Sequence, residues 1–258
     1  MIKRSLLLLL LVTLSCTKKD VFDRENQIII TPIAKCENGL AGEYPCKDYD
    51  LLTHFTLEEI GGADTIGNDC WGWTDPISKH EYALMCTNKG VTFIDITDPA
   101  NAVILGTLKT RTENSLWRDV KIYKSVAYIV SEAWNHGMQI FNLHRLRGLD
   151  GKKVVKLEED KSYRDFGNAH NVFINEDTGF AYAVGTSTCD GGLHIINIQN
   201  PESPKFVNCI GRGVYEIPTK HGDAYTHDVQ CVVYNGPDMN YVGKEICVSS
   251  NEDTVNIV

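Results

Sequence analysis

A strand-like segment recurs four times along the chain, and this repeat constrains the fold more than any other feature. Each copy reads apolar, polar, apolar, apolar, then Asp or Asn, then apolar, and the last copy is cut short. The copies occupy residues 91–96, 138–143, 193–198 and 255–258. They are rich in β-branched residues and too short for helices, so they predict strands. A glycine stands directly before each of the first three copies, where a tight turn is expected.

Two further kinds of strand-like segment accompany this repeat. One begins at Trp117, Ala169 and Thr226, as in WRDVKIY, and the other at Tyr82, Ala127, Ala181 and Glu245, as in AYIVS. Each unit of roughly 50 residues therefore holds about four short strands, which is typical of a β-propeller blade. A single β-sandwich would not repeat the same strand order. We expect an all-β propeller of four-stranded blades, with the highly charged segment 144–168 as a solvent-facing insertion.

The sequence ends at Val258 in the middle of the fourth copy. Because folded proteins avoid an unpaired sheet edge, we expect an incomplete propeller of about four blades, and either a longer natural product or a truncated reading frame. The expected organisation is a signal peptide at 1–15, a polar leader at 16–50 and a partial propeller at 51–258.

The N-terminus resembles a bacterial lipoprotein signal. Lys3 and Arg4 precede an apolar run over residues 6–14, which Ser15 and Cys16 close. This run is too short to cross a bilayer as a mature helix, so it predicts secretion. TLSC is similar to a lipobox, although Thr13 stands where Leu is usual, and the resemblance implies that Cys16 is lipidated. We expect export and anchoring in the outer membrane or on the cell surface of a Gram-negative bacterium.

The charge balance argues against nucleic acid as a partner. The chain has 25 basic and 34 acidic residues, and removal of Lys3 and Arg4 with the signal leaves 23 against 34, or −11. Such a protein repels phosphate backbones. We expect a full-length monomer that contacts the membrane through Cys16.

Eight cysteines remain besides Cys16, and an even number in an exported chain predicts disulfides. Cys70 and Cys86 are 16 residues apart, as are Cys231 and Cys247, and each pair flanks a turn between two strand-like runs. We predict four local pairs. They are Cys36–Cys46, Cys70–Cys86, Cys189–Cys209 and Cys231–Cys247.

Long stretches of the chain resemble the choice-of-anchor B family, whose propellers carry LVIVD repeats. They include SLWRDVK (115–121), SEAWNHGMQIFNL (131–143), AHNVFINEDTGFAYAVG (169–185), CDGGLHIINI (189–198), YTHDVQCVVYNGPD (225–238) and GKEICVSSNEDTVNIV (243–258). The resemblance covers nearly all of residues 60–258. It implies an exported, tethered propeller and no settled biochemical activity.

Polar side chains at the start of the upstream strands are the candidate site. With a neighbouring loop they give six candidate metal ligands: Asp119, His136, His170, Asn171, His227 and Asp228. Imidazoles and carboxylates at equivalent places suit a transition metal, and the oxygen donors suit calcium. We favour the alternative that these groups hydrogen-bond across blades and satisfy buried backbone groups.

No nucleophile elbow or glycine-rich phosphate loop occurs in the sequence, so no catalytic or cofactor-binding residue is predicted. We favour a surface-displayed binding module for an unknown protein or glycan, which binds through exposed loops such as 211–226. The alternative is a metal-dependent extracytoplasmic enzyme, a lactonase-like hydrolase or an oxidase, with its site in the central channel.

Overall fold

The computed structural model describes residues 31–211, 225–252 and 254–258. These residues form separate, mainly antiparallel β-sheets, none of which closes on itself. The prediction of an all-β fold is confirmed. The described helical structure is short: α1 (Leu57–Gly61), which Thr56 and Glu59 begin with a capping box, and 3-10 turns at Leu143–Leu146 and Cys189–Gly191.

A small leader sheet comes first, and four larger sheets follow in chain order. The leader sheet has β1 (Cys36–Glu37), β2 (Leu40–Ala41) and β3 (Tyr44–Pro45). Sheet 1 has β4 (Gly67–Thr74), β5 (Glu81–Thr87), β6 (Gly90–Asp95), β7 (Val103–Lys109) and a later strand, β11 (Val155–Leu157). Sheet 2 has β8 (Arg118–Tyr123), β9 (Val126–Ser131), β10 (Met138–Asn142) and β12 (Lys161–Tyr163). Sheet 3 has β13 (Asn171–Asn175), β14 (Phe180–Val184), β15 (Leu193–Asn197) and β16 (Lys205–Ile210). Sheet 4 has β17 (Thr226–Val233), β18 (Glu245–Asn251) and β19 (Val255–Ile257).

The charged segment 144–168 is mostly exposed or half-buried, as predicted, but it is not an insertion outside the sheets, so that part of the prediction is wrong. Its strand β11 pairs in parallel with β7 of sheet 1, and β12 then pairs with β10 as the outer strand of sheet 2. Leu157 and Tyr163 are buried within this segment. One buried residue in each strand, Leu157 in β11 and Tyr163 in β12, suffices because a short outer strand needs few apolar side chains. The surrounding Lys and Glu residues obscure the pattern from which these strands could have been predicted.

Buried apolar side chains fill the space between consecutive sheets. One cluster joins sheets 1 and 2, where the rings of Phe93 and Phe141 lie 4.8 Å apart. A second joins sheets 2 and 3 around Tyr128 and Val172, and a third joins sheets 3 and 4 around Val184 and Val229. Each sheet therefore covers the apolar face of the next, which is how these small sheets remove their hydrophobic surface from water.

The first strands of consecutive sheets lie side by side. β4 contacts β8, β8 contacts β13, and β13 contacts β17. The N-terminal ends of β8, β13 and β17 carry the polar residues that the sequence singled out.

The structure forms three disulfides: Cys36–Cys46 in the leader sheet, Cys189–Cys209 in sheet 3 and Cys231–Cys247 in sheet 4. The predicted Cys70–Cys86 disulfide is wrong, because both cysteines are free. The register of β4 and β5 runs without interruption from Thr74 opposite Glu81 to Cys70 opposite Met85, the neighbour of Cys86. Since successive strand residues point to opposite faces, Cys70 is exposed and Cys86 is buried on the other side. Three disulfides indicate an exported protein.

Three predictions fall outside the described residues. They are the signal peptide at 1–15, lipidated Cys16, and most of the loop 211–226. Over the part of the chain that the structure describes, no helix is long and apolar enough to cross a membrane.

Candidate ligand site at the first strands

A cavity of about 410 Å³, lined mainly by polar and charged residues, opens where β4, β8 and β13 adjoin. Four of the six predicted site residues line it: Asp119, His170, Asn171 and Asp228. The other lining residues are Asn68, Asp69, Trp117, Arg118, Lys121, Val172 and Phe173. The first strands of four consecutive sheets thus contribute to one cavity.

Asp119 ties sheets 2 and 3 together beneath this cavity. Its buried carboxylate accepts the backbone N–H of Val172 on β13 at Oδ2 (2.8 Å) and that of Val120 at Oδ1 (2.7 Å). Lys121 Nζ donates to the same Oδ1 over 2.5 Å. Burial raises the pKa of Asp119, and the nearby Asp69 carboxyl raises it further, while Lys121 acts in the opposite direction. All these partners are hydrogen-bonding groups of the protein, so Asp119 has a cross-sheet role of the kind we favoured.

Asp69 and Lys121 complete a charged group with Asp119. Lys121 Nζ lies 3.3 Å from Asp69 Oδ2 and 4.6 Å from the centre of the Trp71 ring. Burial opposes ionisation of Asp69, but hydrogen bonds from its surroundings and the Lys121 charge hold its pKa below the ordinary value. One ammonium therefore serves two carboxylates at the cavity wall.

Asn171 and Asp228 occupy the equivalent places on β13 and β17. Asp228 Oδ1 accepts the N–H of Val229 over 2.7 Å, which repeats the contact between Asp119 and Val120. Asp228 is exposed, whereas Asp119 is buried between two sheets. The local contact is the same in both residues, but Asp228 remains open to a ligand on the cavity side.

His136 lies in the core rather than on the cavity wall. Its Nε2 lies 3.0 Å from Arg118 Nη1, and its Nδ1 lies 2.9 Å from the carbonyl oxygen of Gly137. Burial and the Arg118 charge lower the pKa of His136 to about 4, so the ring is neutral and accepts at Nε2. Both ring nitrogens are engaged, which makes His136 a structural partner of Arg118 and not a metal ligand.

Arg118 is fully buried among neutral acceptors. Besides His136, it donates to the Thr87 carbonyl (3.1 Å) and to Thr110 Oγ1 (2.7 Å). Burial lowers the pKa of Arg118 to about 10, and the guanidinium remains charged at neutral pH. Its side chain joins sheet 1 to sheet 2 and does not project into the cavity as a free cation.

Two of the predicted ligands, His170 and His227, contact each other across sheets 3 and 4. Their Nε2 atoms lie 3.0 Å apart, although the residues are 57 positions apart in sequence. Glu132, which sequence reasoning missed, accepts from His170 Nδ1 over 2.6 Å, and Tyr225 Oη lies 3.3 Å from the same carboxylate oxygen. The exposed ring of Trp117 lies 5.9 Å from that of His170.

Asp69 could have been found by extending the repeat to the first strand of sheet 1, because Asn68-Asp69 on β4 corresponds to Arg118-Asp119 on β8. Glu132 directly follows β9. Because β9 pairs with β8, a prediction of this strand pairing would have placed Glu132 near the site.

The six predicted ligands do not gather around one point. Within the described ranges, the group of three metal-ligating side chains within 4.8 Å is Cys189, His194 and Cys209, and its two sulfurs form a disulfide.

No protein-family model matches the chain, and no curated protein matches it. A similar solved structure is the complex of the fission yeast SREBP and SCAP binding domains, at 12% sequence identity and a TM-score of 0.39. The match covers 85% of this chain and 57% of that chain, so this chain spans little more than half the length of its structural neighbour. A score this low does not establish a common fold.

Proposed function

We propose that this protein is an exported binding module built as a β-propeller, which holds a glycan in the cavity at its first strands. The observation that carries the proposal is the convergence of Asp119, Asn171 and Asp228, from three consecutive sheets, on one cavity.

The contacts between first strands support the propeller arrangement. In a propeller the first strand of each blade lies nearest the central axis, and the blades pack face to face. β4, β8, β13 and β17 adjoin in chain order, and apolar clusters fill each space between neighbouring sheets. The sequence resemblance to the choice-of-anchor B family points to the same architecture.

Export is consistent with the disulfides, and tethering follows from the resemblance of TLSC to a lipobox. A lipidated Cys16 with several acyl chains would be a stable anchor. The expected result is that Cys16→Ser releases the protein from the membrane fraction. Retention of this variant in that fraction would contradict lipid anchoring.

The cavity wall has the chemistry that a polyhydroxylated ligand requires. Asp69, Asn171 and Asp228 offer oxygen atoms to sugar hydroxyls, and the side-chain amide of Asn171 also offers N–H donors. Trp117 is 50% exposed at this cavity, and its broad ring can contact the apolar face of a sugar. A volume of about 410 Å³ lies within the range of small-molecule sites.

A glycan microarray probed with the full chain tests this proposal. We expect selective binding by the wild-type protein, loss of that binding in Trp117→Ala, and unchanged binding in Trp134→Ala. Trp134 is the matched control because it is 70% exposed and does not line the cavity. Equal binding by the Trp117 and Trp134 variants, or no glycan binding by the wild type, would refute the proposal.

A further inference from the structure

We propose that His170 and His227 form a binding site for a divalent first-row transition metal, represented by Zn²⁺, Ni²⁺ or Cu²⁺. The inference concerns this imidazole pair alone. It does not depend on which ligand, if any, occupies the rest of the cavity that His170 lines.

The position of the two imidazoles is the first argument. His170 precedes β13 and His227 lies near the start of β17, so two neighbouring first strands bring the rings together. The ring centres lie 4.2 Å apart and the Nε2 atoms 3.0 Å apart. Two metal–nitrogen bonds of about 2.1 Å that open at about 90–110° place their nitrogens about 3.0–3.4 Å apart. The observed separation therefore matches two ligands of one metal ion.

Glu132 gives His170 the orientation of a metal ligand. Its carboxylate lies 2.6 Å from His170 Nδ1 and accepts the proton of that nitrogen, so that Nε2 is the nitrogen that faces His227. A carboxylate behind a ligating histidine fixes the ring and increases its basicity. Tyr225, 3.3 Å from the same oxygen, holds Glu132 in place.

Glycine at position 185 permits this close assembly. Gly185 has a φ of +58°, and a Cβ there would lie 2.6 Å from His170 Cβ and 2.8 Å from Tyr225 Oη. A larger residue would displace the histidine or the tyrosine. The backbone at this point is thus shaped to bring both side chains together.

The pair is accessible, and its donor atoms select the type of metal. His227 is exposed and the His170 side chain is 13% exposed, so an ion can enter from solvent. In the described part of the chain, no third His, Cys, Asp or Glu joins the two imidazoles within 4.8 Å. Water completes the coordination sphere, as in open sites. Imidazole donors favour zinc, nickel and copper over calcium, which requires six to eight oxygens.

Isothermal titration of the untagged, metal-free full chain with ZnCl₂ and NiCl₂ tests the proposal. We expect one equivalent of metal per wild-type chain and at least tenfold weaker binding in His170→Ala and in His227→Ala. Glu132→Gln keeps both ligands but loses the charge behind His170, so we expect about tenfold weaker binding. His80→Ala is the matched control, because His80 is exposed and its Nδ1 likewise lies 2.9 Å from a carboxylate oxygen, that of Asp95.

Absence of wild-type binding would overturn the proposal. So would unchanged affinity in both histidine variants, or equal loss in His80→Ala. If His170→Ala fails to fold, His227→Ala decides alone, because its side chain is exposed. Electron paramagnetic resonance of the Cu²⁺ complex gives a second measurement. We expect hyperfine coupling to two imidazole nitrogens in the wild type and to one in His227→Ala, and an identical spectrum in both would contradict the assignment.

Discussion

Asp119 Oδ2 accepts the backbone N–H of Val172 across 2.8 Å, which links the first strand of sheet 2 to the first strand of sheet 3. The same carboxylate also accepts hydrogen bonds from the Val120 N–H of its own strand and from Lys121 Nζ. A single buried carboxylate therefore fixes the spacing of two sheets and shapes the floor of the candidate site.

Replacement of Asp119 tests this structural role. Asp119→Ala leaves two buried N–H groups without their acceptor and Lys121 without its nearer partner. We expect a loss of about 2–3 kcal/mol in the free energy of unfolding, measured by urea denaturation. Asp150→Ala, which removes an exposed ion pair with Lys152, is the control and should change stability little. Equal stability of the two variants would show that Asp119 does not hold sheets 2 and 3 together.

The two free cysteines should differ in reactivity. Cys70 is exposed, whereas Cys86 is fully buried and burial raises the pKa of its thiol well above 9.0. Iodoacetamide should label Cys70 in the native protein and Cys86 only after unfolding, as peptide mass mapping can determine. Recovery of a peptide with Cys70 linked to Cys86 would contradict the strand register described above.

The loss of stability caused by crowding at Gly185 can be measured separately from the loss caused by backbone strain. Gly243 also has a positive φ, +78°, but nothing lies within 4 Å of a Cβ at that position. Gly243→Ala should cost about 1–2 kcal/mol from the left-handed backbone alone. Gly185→Ala should cost about 1–3 kcal/mol more, because the methyl group meets His170 and Tyr225. Thermal and urea unfolding of both variants measure the difference, and equal losses would contradict the close packing at Gly185.

Protonation of His136 should make the fold less stable in mild acid. Its pKa in the folded protein is about 4, below the ordinary 6.5, because it is buried beside Arg118. Between these values the unfolded chain binds the proton more readily, so stability falls as the pH drops from 6.5 to 4, by at most about 1.4 kcal/mol per pH unit. We expect a smaller slope in His136→Gln, measured by denaturation at several pH values. An unchanged slope would show that His136 does not contribute.

The sequence predicts those features that depend on local pattern. The strands that begin near Trp117, Ala169 and Thr226 follow from alternating apolar residues, and the structure forms β8, β13 and β17 there. The pairing of Cys231 with Cys247 also agrees with local spacing, because the two residues are directly opposite each other.

Features that depend on register or on distant contacts are not visible in the sequence. Cys70 and Cys86 have the same spacing as the sheet 4 pair, but the register of the β4–β5 hairpin places Cys70 opposite Met85. The approach of His170 to His227, and of Glu132 to His170, depends on how neighbouring sheets pack. Strands β11 and β12 form because a few of their apolar side chains pack into the clusters between neighbouring sheets. The many charged residues around them obscure the apolar pattern from which a strand would be predicted.

The central claim is that the first strands of consecutive sheets adjoin one another around a shared site. A crystal structure of the full chain tests it most directly. We predict that β8, β13 and β17 will adjoin in that order, with the Val172 N–H bonded to Asp119 and the imidazoles of His170 and His227 in contact. A structure in which these three strands are separated, as in two stacked layers of a sandwich, would contradict the account.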